Sequence, residues 1–282
     1  MDLPKGIVLL DSLGDLQVGN SYPILVCGSH CGGNRDLAAH INKCGVKAVF
    51  LNSAGVGKNQ AGIRGLQHYE SEHVLACAVD NFSAEIGIAQ DTWESGVVSH
   101  ISPQAEAAGI QIGDSVKAAV AKISDNIIQT SSVQVSEDSI SHIDNKEEGS
   151  SKGELKKQTQ TQIAGVDVTV TDSITFLNEN NSGDIVVCGS HGGLSAGDYA
   201  KKRGVRAVFF NDAGIGKNNA GVKSLDLLSE AGILACTVDC MSAEIFNGAD
   251  VLANGIITVC NQVASSKNIK VKMSVKEAIS LI

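Results

Sequence analysis

The sequence predicts an α/β protein built as a tandem duplication of a small three-layer unit with a mostly parallel sheet, its halves packed as a pseudo-dimer. Repetition is the first observation behind this. Residues 45–63 read GVKAVFLNSAGVGKNQAGI and residues 204–222 read GVRAVFFNDAGIGKNNAGV, identical at 13 of 19 positions. CGSHCGG at 27–33 returns as CGSHGG at 188–193, and LACAVDNFSAEI at 75–86 returns as LACTVDCMSAEI at 234–245. Asp11-Ser12 lies 16 residues before Cys27, just as Asp172-Ser173 lies 16 before Cys188. Self-similarity in fixed order marks a repeated unit of roughly 110 residues, large enough to bury a core of its own.

The second observation is the hydrophobic pattern within each unit. PILVCGS at 23–29 and DIVVCGS at 184–190 are short apolar runs that end in glycine and serine. VKAVFLN at 46–52, VRAVFFN at 205–211, VLACAVD at 74–80 and ILACTVD at 233–239 are β-branched runs of strand length. Between the first two strands of the first unit, Leu37, Ala38, Ile41 and Cys44 recur at helical spacing. In the second unit Val222, Leu225, Leu228 and Ser229 do the same before Gly232 stops the segment. Near-continuous apolar strands alternating with helices mean a parallel sheet covered on both faces.

The third observation is the change of composition between the copies. From Lys122 to Gln162 the chain is rich in serine and mixed charge, without an aromatic residue. Such a stretch cannot bury enough apolar area to offset its ordering entropy. The expected organisation is a first α/β repeat at 1–121, a flexible polar linker at 122–162 and a second α/β repeat at 163–282.

Composition narrows the function classes. With 43% hydrophobic and 4% aromatic residues and a net charge of −9, the chain reads as soluble and globular, and its sign argues against nucleic acid or an anionic membrane as partner. The apolar run Ile7–Leu10 is too short for a signal-peptide core or a membrane span, so a cytoplasmic location is expected. The eight cysteines then read as reduced thiols. Cys27 and Cys188, like Cys77 and Cys236, match across the repeat and suit small buried positions, whereas Cys31, Cys44, Cys240 and Cys260 have no counterpart. Cys27, His30 and Cys31 lie close together, but Cys31 becomes Gly192 in the second copy and no further Cys or His pair completes a tetrahedron, so no metal is expected. No cofactor is expected either.

Ligands of open parallel sheets bind beyond the carboxyl ends of the strands, and the polar motifs of this chain fall there. Ser29-His30 and Ser190-His191 follow the first shared strand, and Asn52, Gly55, Gly57 and Lys58 follow the second, as do Asn211, Asp212, Gly214, Gly216 and Lys217. Asp80, Ser83 and Glu85, with Asp239, Ser242 and Glu244, follow the third, so three polar loops are expected on one rim. A glycine-rich turn with a lysine at a helix entrance suits a carboxylate or phosphate. It does not match a Walker A loop, which needs glycine where Asn211 stands and a hydroxyl where Asn218 stands. CGSHG after a strand resembles a nucleophile elbow, although the first copy has Cys31 in the last glycine's place.

These readings assign catalysis to Ser190, His191, Lys217 and Asp239. Histidine is the proton carrier of neutral-pH chemistry, serine a nucleophile, lysine a base or oxyanion partner, and the carboxylate an orienting group. Substrate binding is assigned to Ser29, His30, Asn52, Lys58, Gly192, Gly193, Asn211, Asp212, Gly214, Gly216 and Glu244. The expected function is a small-molecule enzyme, a hydrolase or related acyl-transfer or lyase enzyme, acting on a small carboxylate or amide. The alternative is a non-catalytic protein that binds an anionic metabolite through the duplicated lysine loops. Asp212 in place of Ser53 and Cys240 in place of Asn81 give the second copy the more reactive set, so it is expected to carry most of any activity. Further homo-oligomerisation is compatible with this organisation.

Overall fold

The computed structural model describes residues 3–132 and 158–282. The first half forms a five-stranded sheet of β1 (Ile7–Leu10), β2 (Ile24–His30), β3 (Ala48–Asn52), β4 (Leu75–Val79) and β5 (Val98–Ile101), in that order. The second forms a six-stranded sheet of β6 (Gln158–Ile163), β7 (Val166–Thr171), β8 (Ile185–His191), β9 (Ala207–Asn211), β10 (Leu234–Val238) and β11 (Ile257–Cys260). β1 to β4 are mutually parallel, as are β7 to β10, while β5, β6 and β11 join as antiparallel edges.

Helices cover both faces of each sheet. In the first half α1 (Arg35–Lys43) and α2 (Gly65–Ser71) place Ala38, Ile41 and Tyr69 on one face. On the other, α3 (Ala89–Ser95), α4 (Pro103–Ala107) and α5 (Val116–Ser132) supply Trp93, Ala105 and Val116. The second half repeats the plan. α6 (Leu194–Arg203) and α7 (Ser224–Glu230) lie on one side, and α8 (Gly248–Asn254), α9 (Gln262–Ser266) and α10 (Val275–Ile279) on the other. Each half is thus a three-layer unit with a core on either side of its sheet, and the central strands are buried along their whole length. No described helix is long and apolar enough to cross a membrane.

The stretch 122–162, expected as linker, is regular at both described ends. α5 runs to Ser132, with Ile123 buried in the first core, and Gln158–Ile163 pairs with β7 as an edge strand. The remainder of that expectation, 133–157, lies outside the described residues.

The halves join by exchanging loops at the carboxyl ends of their strands. The turns after β3 and β9 carry a run of left-handed residues, Ala54, Gly55, Val56 and Gly57 in one, Ala213, Gly214, Ile215 and Gly216 in the other. Val56 and Ile215 are β-branched, so a positive φ at each is a true outlier, and it recurs at the same place in both halves. The run folds the backbone tightly enough for the two turns to touch. A Cβ on Gly55 would stand 2.9 Å from the Gly214 Cα. The Lys58 amide then donates to the Cys240 carbonyl and the Lys217 amide to the Asn81 carbonyl, both at 2.8 Å.

Ionic contacts follow the same reciprocity. Lys58 Nζ donates to both oxygens of Asp250 (2.8 and 2.9 Å), and Lys217 Nζ to both oxygens of Asp91 (2.7 and 3.0 Å). Arg64 reaches Glu244 at 2.9 Å and Lys223 reaches Glu85 at 2.7 Å. Beneath them Ala54, Ala61, Ile86, Ala213, Ala220 and Ile245 form an apolar cluster drawn equally from the two halves. Burial alone would raise the Asp91 and Asp250 carboxyls, but the lysines outweigh it and hold both below the ordinary aspartate range.

Lys217 is therefore part of the clasp. In a double-mutant cycle, Lys217→Met and Asp91→Asn should each lower stability, with a coupling energy of about 1 kcal/mol that reflects partial solvent screening. Urea denaturation of the four proteins measures it, and strictly additive losses would remove the pair from the account of the interface.

Candidate functional site

The repeated CGSH cluster is explained position by position. Cys27 and Cys188 are fully buried in β2 and β8, and burial pushes both thiols up to about 12. Gly28 and Gly189 allow a later loop to cross the strand. A Cβ on Gly28 would meet the Gly87 carbonyl carbon at 2.6 Å, and one on Gly189 would meet the Asn247 nitrogen at 2.4 Å. The crossing is fastened by Gly87 N–H to the Gly28 carbonyl and Phe246 N–H to the Gly189 carbonyl, each 2.7 Å. Ser29 and Ser190 turn their hydroxyls to the short turn after β1 or β7, accepting from the Leu13 and Ile174 amides at 3.0 Å. His30 and His191 end the strands.

The two histidines face one cavity of about 620 Å³ between the halves, a volume suited to a small molecule. Its wall takes Ser29, His30, Ser190 and His191 from the strand ends, and Asp11, Ser12, Asp15, Ser173 and Phe176 from the segments after β1 and β7. Ser195, Asp198, Tyr199 and Lys202 come from α6, and Phe246 from the loop after β10. Among the described residues of the lining, Lys202 is the sole lysine or arginine beside Asp11, Asp15 and Asp198.

Both imidazoles are held neutral. Burial lowers His30 to about 4, and burial together with the nearby His30 lowers His191 to about 3. His191 Nδ1 accepts from the Gly193 amide at 3.0 Å, which places the ring proton on Nε2. His30 Nδ1 lies beside Gly32 and, among the described residues, has no hydrogen-bond partner that would fix its tautomer. Among the described residues nothing hydrogen-bonds either Nε2. The site thus offers two neutral imidazoles whose outer nitrogens are free for a ligand.

Ser29, His30, Ser190 and His191 are the expected site residues that the structure brings together on this wall. Gly193 supports His191 from behind, and Gly192 donates its amide to the Asn211 carbonyl. The remaining expected residues serve the joint between halves. Asn52 and Asn211, both fully buried, accept from the Ala54 and Ala213 amides at 2.9 Å and donate to the Ala84 and Ala243 carbonyls at 3.0 and 2.9 Å. They tie the loop after the second shared strand to the loop after the third. Gly214 and Gly216 pack on Gly55 and Asn81, and Glu244 binds Arg64 and Asn59. The lysines, expected to meet an anion, have their ammoniums occupied by Asp250 and Asp91. The expected convergence of three loops on one rim is therefore corrected: the loop after the first shared strand faces the cavity, and the other two build the interface, apart from Phe246.

Ser190 and His191 form no hydrogen bond to each other among the described residues, because the hydroxyl is turned to Ile174 and Nδ1 to Gly193. Asp212 takes over the task of Ser53. Its Oδ1 accepts from the Cys240 and Gly214 amides at 3.0 and 2.9 Å, where Ser53 Oγ accepts from Asn81 at 3.1 Å. Asp212, Asp239 and Cys240 have ligand-type atoms within 4.8 Å of one another. Asp239, however, accepts from the Met241 amide, and burial and the two carboxylates push the Cys240 thiol up to about 12. The cluster reads as turn structure.

Sequence reasoning missed Asp11, Asp15, Phe176, Tyr199, Asp198, Lys202 and Phe246. The repeated Asp-Ser 16 residues before each CGSH was the available signal for the segments after β1 and β7. Comparison of the chain with protein-family models, with curated proteins and with solved structures finds no match.

The buried imidazoles set an acid limit on stability. Unfolded histidine titrates near 6.5 and the folded pair about 4 and about 3, so the unfolded chain binds more protons in between. Their contribution is complete above pH 6.5 and declines as pH falls toward 4. Urea midpoints at pH 7.5 and 5.0 should show a larger drop for the native chain than for the His30→Gln/His191→Gln protein, and equal drops would contradict neutral burial.

Proposed function

We propose that the cavity between the halves is the active site of a small-molecule enzyme, in the hydrolase, acyl-transfer or lyase class, acting on the carbonyl group of a small neutral substrate such as an amide. The observation that carries this reading is the pair of buried neutral imidazoles on one cavity, each with an Nε2 that has no partner among the described residues. A neutral imidazole that carries its proton on Nε2 donates a hydrogen bond to a carbonyl oxygen and stabilises the charge that develops there. The same group at a pKa near 4 is a weak base, so His191 acts as a donor from Nε2, and His30 meets the substrate through its own Nε2. Asp11 and Asp15, on the cavity border, are the groups able to take a proton from an attacking water. Ser29 and Ser190 orient substrate through their hydroxyl protons.

An amide is favoured over a carboxylate because, among the described residues, three aspartates against one lysine border the cavity. The alternative of an anion binder acting through Lys58 and Lys217 has less support, since carboxylates already engage both. A cytoplasmic setting remains part of the proposal and accords with eight unpaired cysteines.

The test is turnover of a panel of small linear and cyclic amides. The reading expects His30→Gln and His191→Gln each to lower kcat/KM by about tenfold or more, given the usual cost of one preorganised donor. The imidazoles should contribute no limb to the rate between pH 5.5 and 8, because both stay neutral there. Full activity in both variants, or a rate that follows a titration near 6.5 and loses it on His191→Gln, would refute the donor assignment.

A further inference from the structure

We infer that Phe246 is a specificity-determining residue of the proposed site, and that the site takes a carboxamide borne on a planar ring, the ring lying on Phe246 and the amide lying toward His191. This rests on the reading of the cavity as a ligand site, and it begins from a break in symmetry. Residues 87 and 246 are counterparts, each strapped by its amide to the glycine of the CGSH strand and each in the left-handed region, with φ of +86° and +60°. Gly87 adopts that backbone without strain. Phe246 is a bulky residue for which it is unfavourable. A costly conformation kept beside a cavity, where glycine serves the same backbone in the other half, points to a use for the ring.

The ring's surroundings indicate that use. It lies 5.8 Å from the His30 ring, tilted by 55°, and 6.4 Å from Phe176 in an edge-on contact. Phe246, Phe176 and His30 thereby make an aromatic wall at one pole of the cavity, where ring pairs gain from offset and edge-to-face contact.

The opposite pole is polar. Beside His191 the chain carries Gly87 with no side chain, packed so closely that a Cβ would stand 3.4 Å from the imidazole Cε1 and 3.0 Å from Ser195 Oγ. The counterpart of Phe176, which lies 12 residues before Cys188, is Asp15, 12 before Cys27. The pseudo-twofold therefore sets a carboxylate at the His191 pole where the His30 pole has a phenyl ring. A head group there should accept from His191 Nε2–H and donate to a carboxylate. A primary carboxamide does both, while a carboxylate would be repelled.

Benzamide, acetamide and benzoate are suitable probes, titrated into the full chain while NMR follows the Hε1 signals of His30 and His191. Benzamide should saturate both signals, with acetamide and benzoate each at least tenfold weaker. Phe246→Gly, which relieves the backbone and keeps the fold, should weaken benzamide at least fivefold toward acetamide, and Phe246→Leu should fall between. If benzamide reaches both imidazoles but Phe246→Gly leaves its affinity unchanged, the role of Phe246 is overturned and the cavity reading stands. Benzoate binding as tightly as benzamide overturns the amide preference. If none of the probes moves either signal, the inference and the proposed site fall together.

Discussion

Each half of this protein completes the other through a lysine it cannot use at home. Asp91 and Asp250 sit in the first turns of α3 and α8, where a carboxylate is favoured by the free amides, and each is neutralised by a lysine from across the joint. The lysines reach because the backbone before them passes through consecutive left-handed residues, two of them β-branched. That strain is held in place by buried Asn52 and Asn211, which bond both the strained turn and the neighbouring loop. Undoing any one of these would loosen the rest, since they share the same few residues.

The cavity is a product of this joint. Its walls come from both halves, and the sheets meet with the carboxyl ends of their strands facing each other. Burial of the rings, and for His191 the nearness of His30, explains why the two histidines remain uncharged. Placed at an ordinary strand end in water, the same side chains would titrate near neutrality and behave as bases. The joint therefore determines the chemistry of the imidazoles as well as their position.

Much of the fold was legible because the strands are apolar along their length and the duplication fixes which runs correspond. The His pair was legible for the same reason, since CGSH repeats in a chain that repeats little else of such odd composition. The lysine loops misled because a glycine-rich turn with a cation looks the same whether it awaits an anion in solution or a carboxylate from a distant segment. Lys217 and Asp91 are 126 residues apart, and no local pattern records their meeting. Asp15 and Phe176 were invisible for a related reason. Their role depends on where the turns after β1 and β7 fall across the axis, which only packing decides. The stretch after Lys122 reads as polar by composition, yet Ile123 and Ile127 pack its first turns against the core.

Fusion of two like units into one chain has a consequence beyond stability. In a dimer of identical subunits, every residue near the axis appears twice, and a bulky side chain chosen for one pole of a shared cavity is imposed on the other as well. A single chain lifts that restriction. It can place phenylalanine at 246 and glycine at 87, phenylalanine at 176 and aspartate at 15, so a cavity that begins with two equal ends acquires a direction. On the proposed reading of the cavity, an asymmetric guest would then enter in one orientation instead of two.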